Sequence, residues 1–357
     1  MKKCVSIKVV LLCVAVAFTM ASVSVANAQP GKFVNGVLQP LEDGFPNRPI
    51  ILMVVDDVGS ADSLYATLLA DTAKKMSPQP ILIEHRADFS NFGTWEALAW
   101  VMDQGKIGND GYINVVYTFP GCVVDLVVID MKKETGLDLN DLNPVVSTET
   151  ALYFIIQRIN AEWGTTMQDF LAHAKKNPGT MRYMSGGPGS GADAAVRWYM
   201  KGLGFTAKEI IVGSSSARAL GVASGDGDFA LSPADVCLPH IQAGKARAIM
   251  TSALKPQPPP FDKAVTSASL GMKDDPWGNN RSMAVSPKTP ESHRAWLETL
   301  FTAAAKEKDF VEKRSKMPGM VFDILGKEAT LKKCRDAYDF TFPIYKEMGL
   351  YWGDKKK

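Results

Sequence analysis

The chain has 357 residues, 46% hydrophobic and 22% charged, with 21 Pro and 29 Gly, the composition of folded rather than disordered or collagen-like chain. Its 40 basic and 38 acidic residues give a formal charge of +2, so no global positive field exists to hold a nucleic-acid backbone or an anionic membrane surface. At roughly 150 residues per domain, the length predicts two domains or one large one.

Residues 1–28 are expected to be a signal peptide. Lys2, Lys3 and Lys8 precede or punctuate an apolar run at 9–18, and Ala26-Asn27-Ala28 stands before Gln29 as a cleavage site. That run is about half of the ~20 apolar residues that a membrane span needs. Cleavage would remove three lysines and no acid, leaving 37 basic and 38 acidic residues in a soluble periplasmic chain. Cys122, Cys237 and Cys334 remain, an odd number. They are read as buried small hydrophobes, with one disulfide plus a free thiol as the other possibility.

Residues 49–55 (PIILMVV) form a continuous apolar run of strand length. Asp56, Asp57, Val58, Gly59 and Ser60 supply turn chemistry, and 62–76 carries Leu64, Leu68 and Leu69 at helical spacing. The unit then repeats, with a strand at 81–84, a helix at 94–104 and a strand at 112–117. A second series begins near Leu142 with short apolar runs at 144–147 and 152–157, followed by an amphipathic helix at 166–176 and a strand at 181–184. After it come a glycine-serine loop at 185–191, a helix at 192–202, a strand at 209–212, a helix at 217–224 and strands at 228–231 and 246–252. The stiff stretch 255–260 (KPQPPP) leads to two late helices, at 290–306 and 327–348.

Strands alternating with helices predict an α/β fold of parallel sheets flanked by helices. Two lobes are expected: 29–141 plus 253–357, and an inserted 142–252. Residues 50–117 and 181–231 should then stand in separate sheets.

The loop Ser185, Gly186, Gly187, Pro188, Gly189, Ser190 and Gly191 lies between a strand and a helix. Glycines allow close backbone approach, and a helix N-terminus offers free N–H groups, so the loop suits an anion or carboxylate. Gly189, Gly191 and Ala194 also fit a dinucleotide fingerprint, but Glu209 opens the next strand instead of closing it. Ser214 and Ser215 form a second polar loop, readable as a ligand contact, a helix cap or both. No nucleophile elbow, metal-binding spacing or histidine cluster is present, so no catalytic residue, metal or cofactor is expected.

Several segments together resemble the periplasmic solute-binding receptors of tripartite tricarboxylate transporters, the Bug-type receptors. They are Phe45-Pro46 with Pro49-Ile50, Gly59-Ser60-Ala61-Asp62, Asp110-Gly111-Tyr112, Asn177-Pro178-Gly179, the 185–190 loop, 225–228, 238–248 and Thr289-Pro290. The resemblance implies a two-lobed periplasmic binding protein fold whose lobes close on a small solute, usually a carboxylate. It assigns the grip to Val55, Asp56, Asp57, Val58, Gly59 and Ser60, to Ser185, Gly186, Gly187, Gly189 and Ser190, and to Ser214 and Ser215. Gly187→Val should accordingly weaken binding and leave the apo protein's melting temperature unchanged.

In the family the first loop usually carries two glycines and no acids, a histidine stands at the position of Asp193, and a lysine at that of Ser214. Unless Asp56 and Asp57 cap a helix or meet a cation such as Arg86, the pocket should favour an amino group, neutral hydroxyls or a monocarboxylate held on the Ser185 side. The implied partners are a small-molecule ligand and inner-membrane transporter subunits, with no nucleic acid, and the chain is expected to be a monomer. The alternatives are an exported α/β enzyme acting on a small organic acid, or a receptor presenting its ligand to a membrane sensor kinase.

Overall fold

A computed structural model describes residues 31–89, 93–272 and 275–356; the expected signal peptide lies outside the described residues. A small hairpin, β1 (Phe33–Val34) and β2 (Val37–Leu38), comes first. The first α/β series is β3 (Ile50–Val54), α1 (Ala61–Ala73), β4 (Ile81–His85), α2 (Gly93–Asp103) and β5 (Ile113–Phe119). Helices α3 (Gly121–Val128) and α4 (Met131–Thr135) then lead into β6 (Asn143–Arg158).

The second series is α5 (Met167–Lys176), β7 (Arg182–Ser185), α6 (Gly191–Leu203), β8 (Lys208–Ile211), α7 (Ser215–Ser224) and β9 (Phe229–Pro233). It continues through α8 (Ala234–Gln242), β10 (Ala246–Thr251) and β11 (Val265–Thr266). The chain ends with β12 (Gly278–Val285), α9 (Glu291–Lys306), α10 (Lys308–Ser315), β13 (Met320–Leu325) and α11 (Lys327–Glu347).

The strand order is β4-β3-β5-β12-β6-β9-β7-β8, with β13 and β10 also paired to β6, and β11 to β10. Each series has a parallel set, β4-β3-β5 and β9-β7-β8, while the strands that pair with β6 run antiparallel to it. Two short apolar runs were expected at 144–147 and 152–157; they belong to one 16-residue strand. Residues 143–152 of it pair with β12, and residues 153–158 pair with β9 and β10. The two sets are therefore joined through β6 into one eleven-stranded sheet, where separate sheets were expected.

The polar stretch Thr148-Glu149-Thr150 lies between those two runs. It can lie in a central strand because Glu149, fully buried, is held by two arginines. Arg281 of β12 donates to it at 3.0 Å and Arg314 of α10 at 2.9 Å. Arg281 also meets Asp62 of α1 at 3.1 Å. Its Nη2 lies 2.8 Å from Asp235 of α8, too skewed for a hydrogen bond but close enough for an ion pair. Two arginines and three carboxylates thus tie α1, α8, α10 and β12 to the midpoint of β6.

Both faces of each half are covered. Tyr65, Leu69, Trp296 and Phe301 pack on one face of the first half, and Trp95, Leu98 and Val115 on the other. Phe170, Tyr199 and Phe229 cover one face of the second, and Phe154, Cys237 and Phe261 the opposite one. Helix α11 reaches both halves, placing Leu331 and Cys334 in the first core and Tyr345 in the second. Cys122, Cys237 and Cys334 are buried and unpaired. No helix among the described residues is long and apolar enough to cross a membrane.

Candidate functional site

A cleft of 490 Å³ opens at the carboxyl ends of the parallel strands, where the loops of both halves meet. From the first half, Val55, Asp56 and Asp57 follow β3, Gly93 and Thr94 open α2, and Gly121 and Asp125 belong to α3. From the second, Gly186, Gly189 and Ser190 follow β7, and Ser214, Ser215 and Arg218 surround the start of α7. Tyr153 of the shared strand contributes its ring; burial pushes its hydroxyl up to about 12. Several helix N-termini converge here, each with free N–H groups and partial positive charge that favour an anion.

The residues expected from the sequence divide into two sets. Val55, Asp56, Asp57, Gly186, Gly189, Ser190, Ser214 and Ser215 line the cleft. Val58, Gly59, Ser60, Ser185 and Gly187 are not among its lining residues. Val58 is exposed, and Ser60 caps α1 by accepting from the Ser63 N–H at 3.1 Å. Ser190 and Ser214 also cap their helices, accepting from Asp193 and Ala217, so capping and lining coincide there.

Gly187 was expected to offer its N–H to a ligand. That N–H is already used, donating to Ser185 Oγ at 2.9 Å, with the backbone at φ +86°. The Ser185 hydroxyl in turn donates to Asp193 Oδ1 at 3.3 Å, as the Tyr183 hydroxyl does at 2.9 Å. Arg197 holds the other Asp193 oxygen at 2.7 Å. Asp193, which the sequence suggested as an added negative charge in the site, is instead fully buried under the loop and ion-paired. Burial pushes its carboxyl up and Arg197 pulls it down.

The aspartates of the first loop have a different setting. Asp56 Oδ1 accepts from the Asp57 N–H at 2.8 Å. Neither carboxylate caps α1, since Ser60 does. Arg86, the cation proposed to meet them, is committed to Asp88 at 2.8 Å and stacks on Phe89 and Trp100. Asp62 lines the cleft as well, but it is paired with Arg281.

Sequence reasoning missed Arg218. It sits one turn into α7, is only 6% exposed, and lines the cleft. Its Nη1 donates to the Gly213 carbonyl at 2.8 Å, and its Nε is buried with no acceptor. No carboxylate among the described residues forms a salt bridge with it, and burial pushes its pKa down. Gly186 is what lets it reach the cleft, because a Cβ there would stand 2.8 Å from the Arg218 Nη1. The available signal was the arginine four residues after Ser214 at the end of a parallel strand, one turn beyond the cap.

Gly189 and Gly191 also serve close approach. A Cβ on Gly189 would lie 3.0 Å from Asp125 Oδ1, and one on Gly191 would lie 3.0 Å from the Gly121 N. The loops of the two halves therefore touch at the cleft floor. Among the described residues, no group of three or more His, Cys, Asp or Glu side chains could hold a metal ion.

A sequence profile described as "Tripartite tricarboxylate transporter family receptor" matches residues 66–325. A UPF0065 protein of Bordetella pertussis is 23% identical over 270 residues, 76% of this chain and 80% of that one. Another, encoded in the gbd 5' region of Cupriavidus necator, is 28% identical over 155 residues; the match spans 43% of this chain and 42% of that relative's length. Among solved structures, the periplasmic binding protein BugD superposes with TM-score 0.73 at 17% identity, covering 86% of this chain and 99% of its own. An R. palustris protein with adipate gives TM-score 0.75 at 18% identity, covering 85% and 98%. MatC from Rhodopseudomonas palustris with bound malate gives 0.70 at 15%, covering 84% and 99%. These likenesses show the two-lobed periplasmic binding protein fold, and with the profile matching well over half of its length the chain belongs to the receptor family of the tripartite tricarboxylate transporters.

Proposed function

We propose that the protein is exported, is cleaved before Gln29, and acts in the periplasm as a monomeric receptor that captures a small carboxylate in the 490 Å³ cleft. It would hand the ligand to inner-membrane transporter subunits. Arg218 carries this reading: a buried guanidinium with no carboxylate partner among the described residues, beside the helix N-termini of the second half, is suited to a ligand anion. The neighbours solved with adipate and malate support the same class of ligand. The lobes, 29–141 plus 253–357 and 142–252, would close about β6; the pairing of β11 with β10 suggests that the return crossing comes after Thr266.

A receptor fits this cleft better than an enzyme. Its titratable groups are carboxylates, Arg218, the Tyr153 hydroxyl and the Cys122 thiol, which burial pushes far above its usual range and so keeps un-ionised. The Ser63–His85 contact of 2.8 Å is engaged by the Gly59 N–H and is not among the lining residues. A thermal-shift screen of the exported protein against small organic acids tests the reading. A bound acid at about 100 times its Kd should stabilise by about 2.7 kcal/mol. At the same ligand concentration Arg218→Gln should cut that stabilisation to about 0.4–1.4 kcal/mol, and an undiminished shift in the variant would remove Arg218 from the site.

A further inference from the structure

The cleft holds opposite charges on its two walls. On the second-half wall is Arg218, buried and without a carboxylate partner among the described residues. On the first-half wall are Asp56, Asp57 and Asp125, none of which has a salt-bridge partner among the described residues. Arg86 is bound to Asp88, Arg48 to Asp110, and Asp62 is satisfied by Arg281. Asp56, Asp57, Asp125 and Arg218 line the same cleft, so the two walls face one space, while Asp193, the nearest acid beneath Arg218, is taken by Arg197. A dicarboxylate would satisfy Arg218 with one end and press its other end against acids. A molecule with a carboxylate at one end and an ammonium at the other meets complementary charge at both.

We propose that the cleft is built for a small amino-carboxylate zwitterion, its carboxylate on Arg218 and its ammonium among Asp56, Asp57 and Asp125. This rests on the cleft being the ligand site. Asp125 is half-buried one turn into α3, against the Gly189 backbone and on the cleft lining, where an ammonium in the cleft would meet it. Burial and, secondarily, Glu96 push its carboxyl well above the ordinary range, and an ammonium beside it would draw it back down.

The test is calorimetric titration of the exported protein at neutral pH with three matched sets of short probes. They are succinate, glutarate and adipate; butyrate and hexanoate; and alanine, norvaline, β-alanine and γ-aminobutyrate. The best amino-carboxylate should bind at least about tenfold tighter than the best monocarboxylate, and dicarboxylates should bind more weakly still. In the Asp56→Asn, Asp57→Asn, Asp125→Asn triple variant, that preference should vanish and the dicarboxylates should gain affinity. If a dicarboxylate bound wild type at least as tightly as every amino-carboxylate, the zwitterion assignment would be overturned while the carboxylate receptor stood. The same holds if the triple variant kept the amino preference. If no probe bound, both would fall. If Arg218→Gln bound every probe as wild type does, the zwitterion assignment would be overturned together with the Arg218 carboxylate site.

Discussion

A buried guanidinium without a counter-ion costs desolvation energy that the folded chain does not recover by itself. Among the described residues Arg218 is such a group, and its one bond there, to the Gly213 carbonyl, leaves most of its donors for something else. Arg218→Gln should thus leave the melting temperature equal or higher, while affinity for a carboxylate ligand falls about 10- to 100-fold, the equivalent of one charge-assisted hydrogen bond of ~1.5–3 kcal/mol. A parallel measurement of melting and titration checks both halves; a variant that bound normally but unfolded early would mark Arg218 as structural. Asp125 offers a pH test. Its folded-state pKa is raised by burial, so the folded state keeps this proton longer than the unfolded one does. The resulting stability is complete below the unfolded value of ~3.9 and is lost as pH rises through the folded value. Asp125→Asn should therefore be more stable than wild type at neutral pH and converge on it in acid, and a stability gap unchanged across that range would contradict the assignment.

At the scale of elements, the glycine-serine loop is held from beneath. Ser185 Oγ accepts from the Gly187 N–H and its hydroxyl donates to Asp193, which is ion-paired with Arg197. Gly187→Val should lower apo stability by about 1–3 kcal/mol, because a β-branched residue is forced to φ +86°. Chemical denaturation of the apo protein measures this, and an unchanged midpoint would restore the expectation that this glycine matters to ligand alone. The elements most legible in the sequence were those with clean periods, such as β3, α1, α9 and α11, and the loops at the ends of parallel strands. Two central strands were obscured for one physical reason. In β6 the sequence reads Ser147-Thr148-Glu149-Thr150, and in β12 it reads Asn279-Asn280-Arg281-Ser282, which look like loops until their partners are known. Asn280 bonds Thr150 and the Phe119 carbonyl, and Arg281 bonds Glu149, so each polar run makes the other tolerable. Single-chain periodicity carries no record of such pairing. The same blindness hid Arg218, whose significance comes from burial rather than motif.

For the whole molecule, the ionic cluster at the midpoint of β6 is the point where the halves are fastened. Glu149 and Arg281 are fully buried, and Arg314 nearly so, with Asp62 reaching from this cluster to the cleft. Arg281→Met would strand three carboxylates around one remaining arginine. A loss of about 3–5 kcal/mol is expected on removing one partner of such a buried pair, read as a shifted denaturation midpoint. A loss under ~1 kcal/mol would show that the cluster does not fasten the halves. Because β6 carries residues of both halves, closure would have to bend this strand and the neighbouring segments rather than swing a detached domain. The most direct measurement of the central claim is a crystal structure of the exported protein with the ligand that it retains from the periplasm. A small molecule is expected in the cleft, with a carboxylate within hydrogen-bond distance of Arg218. A ligand bound elsewhere, or one in the cleft presenting no anionic group to Arg218, would contradict it.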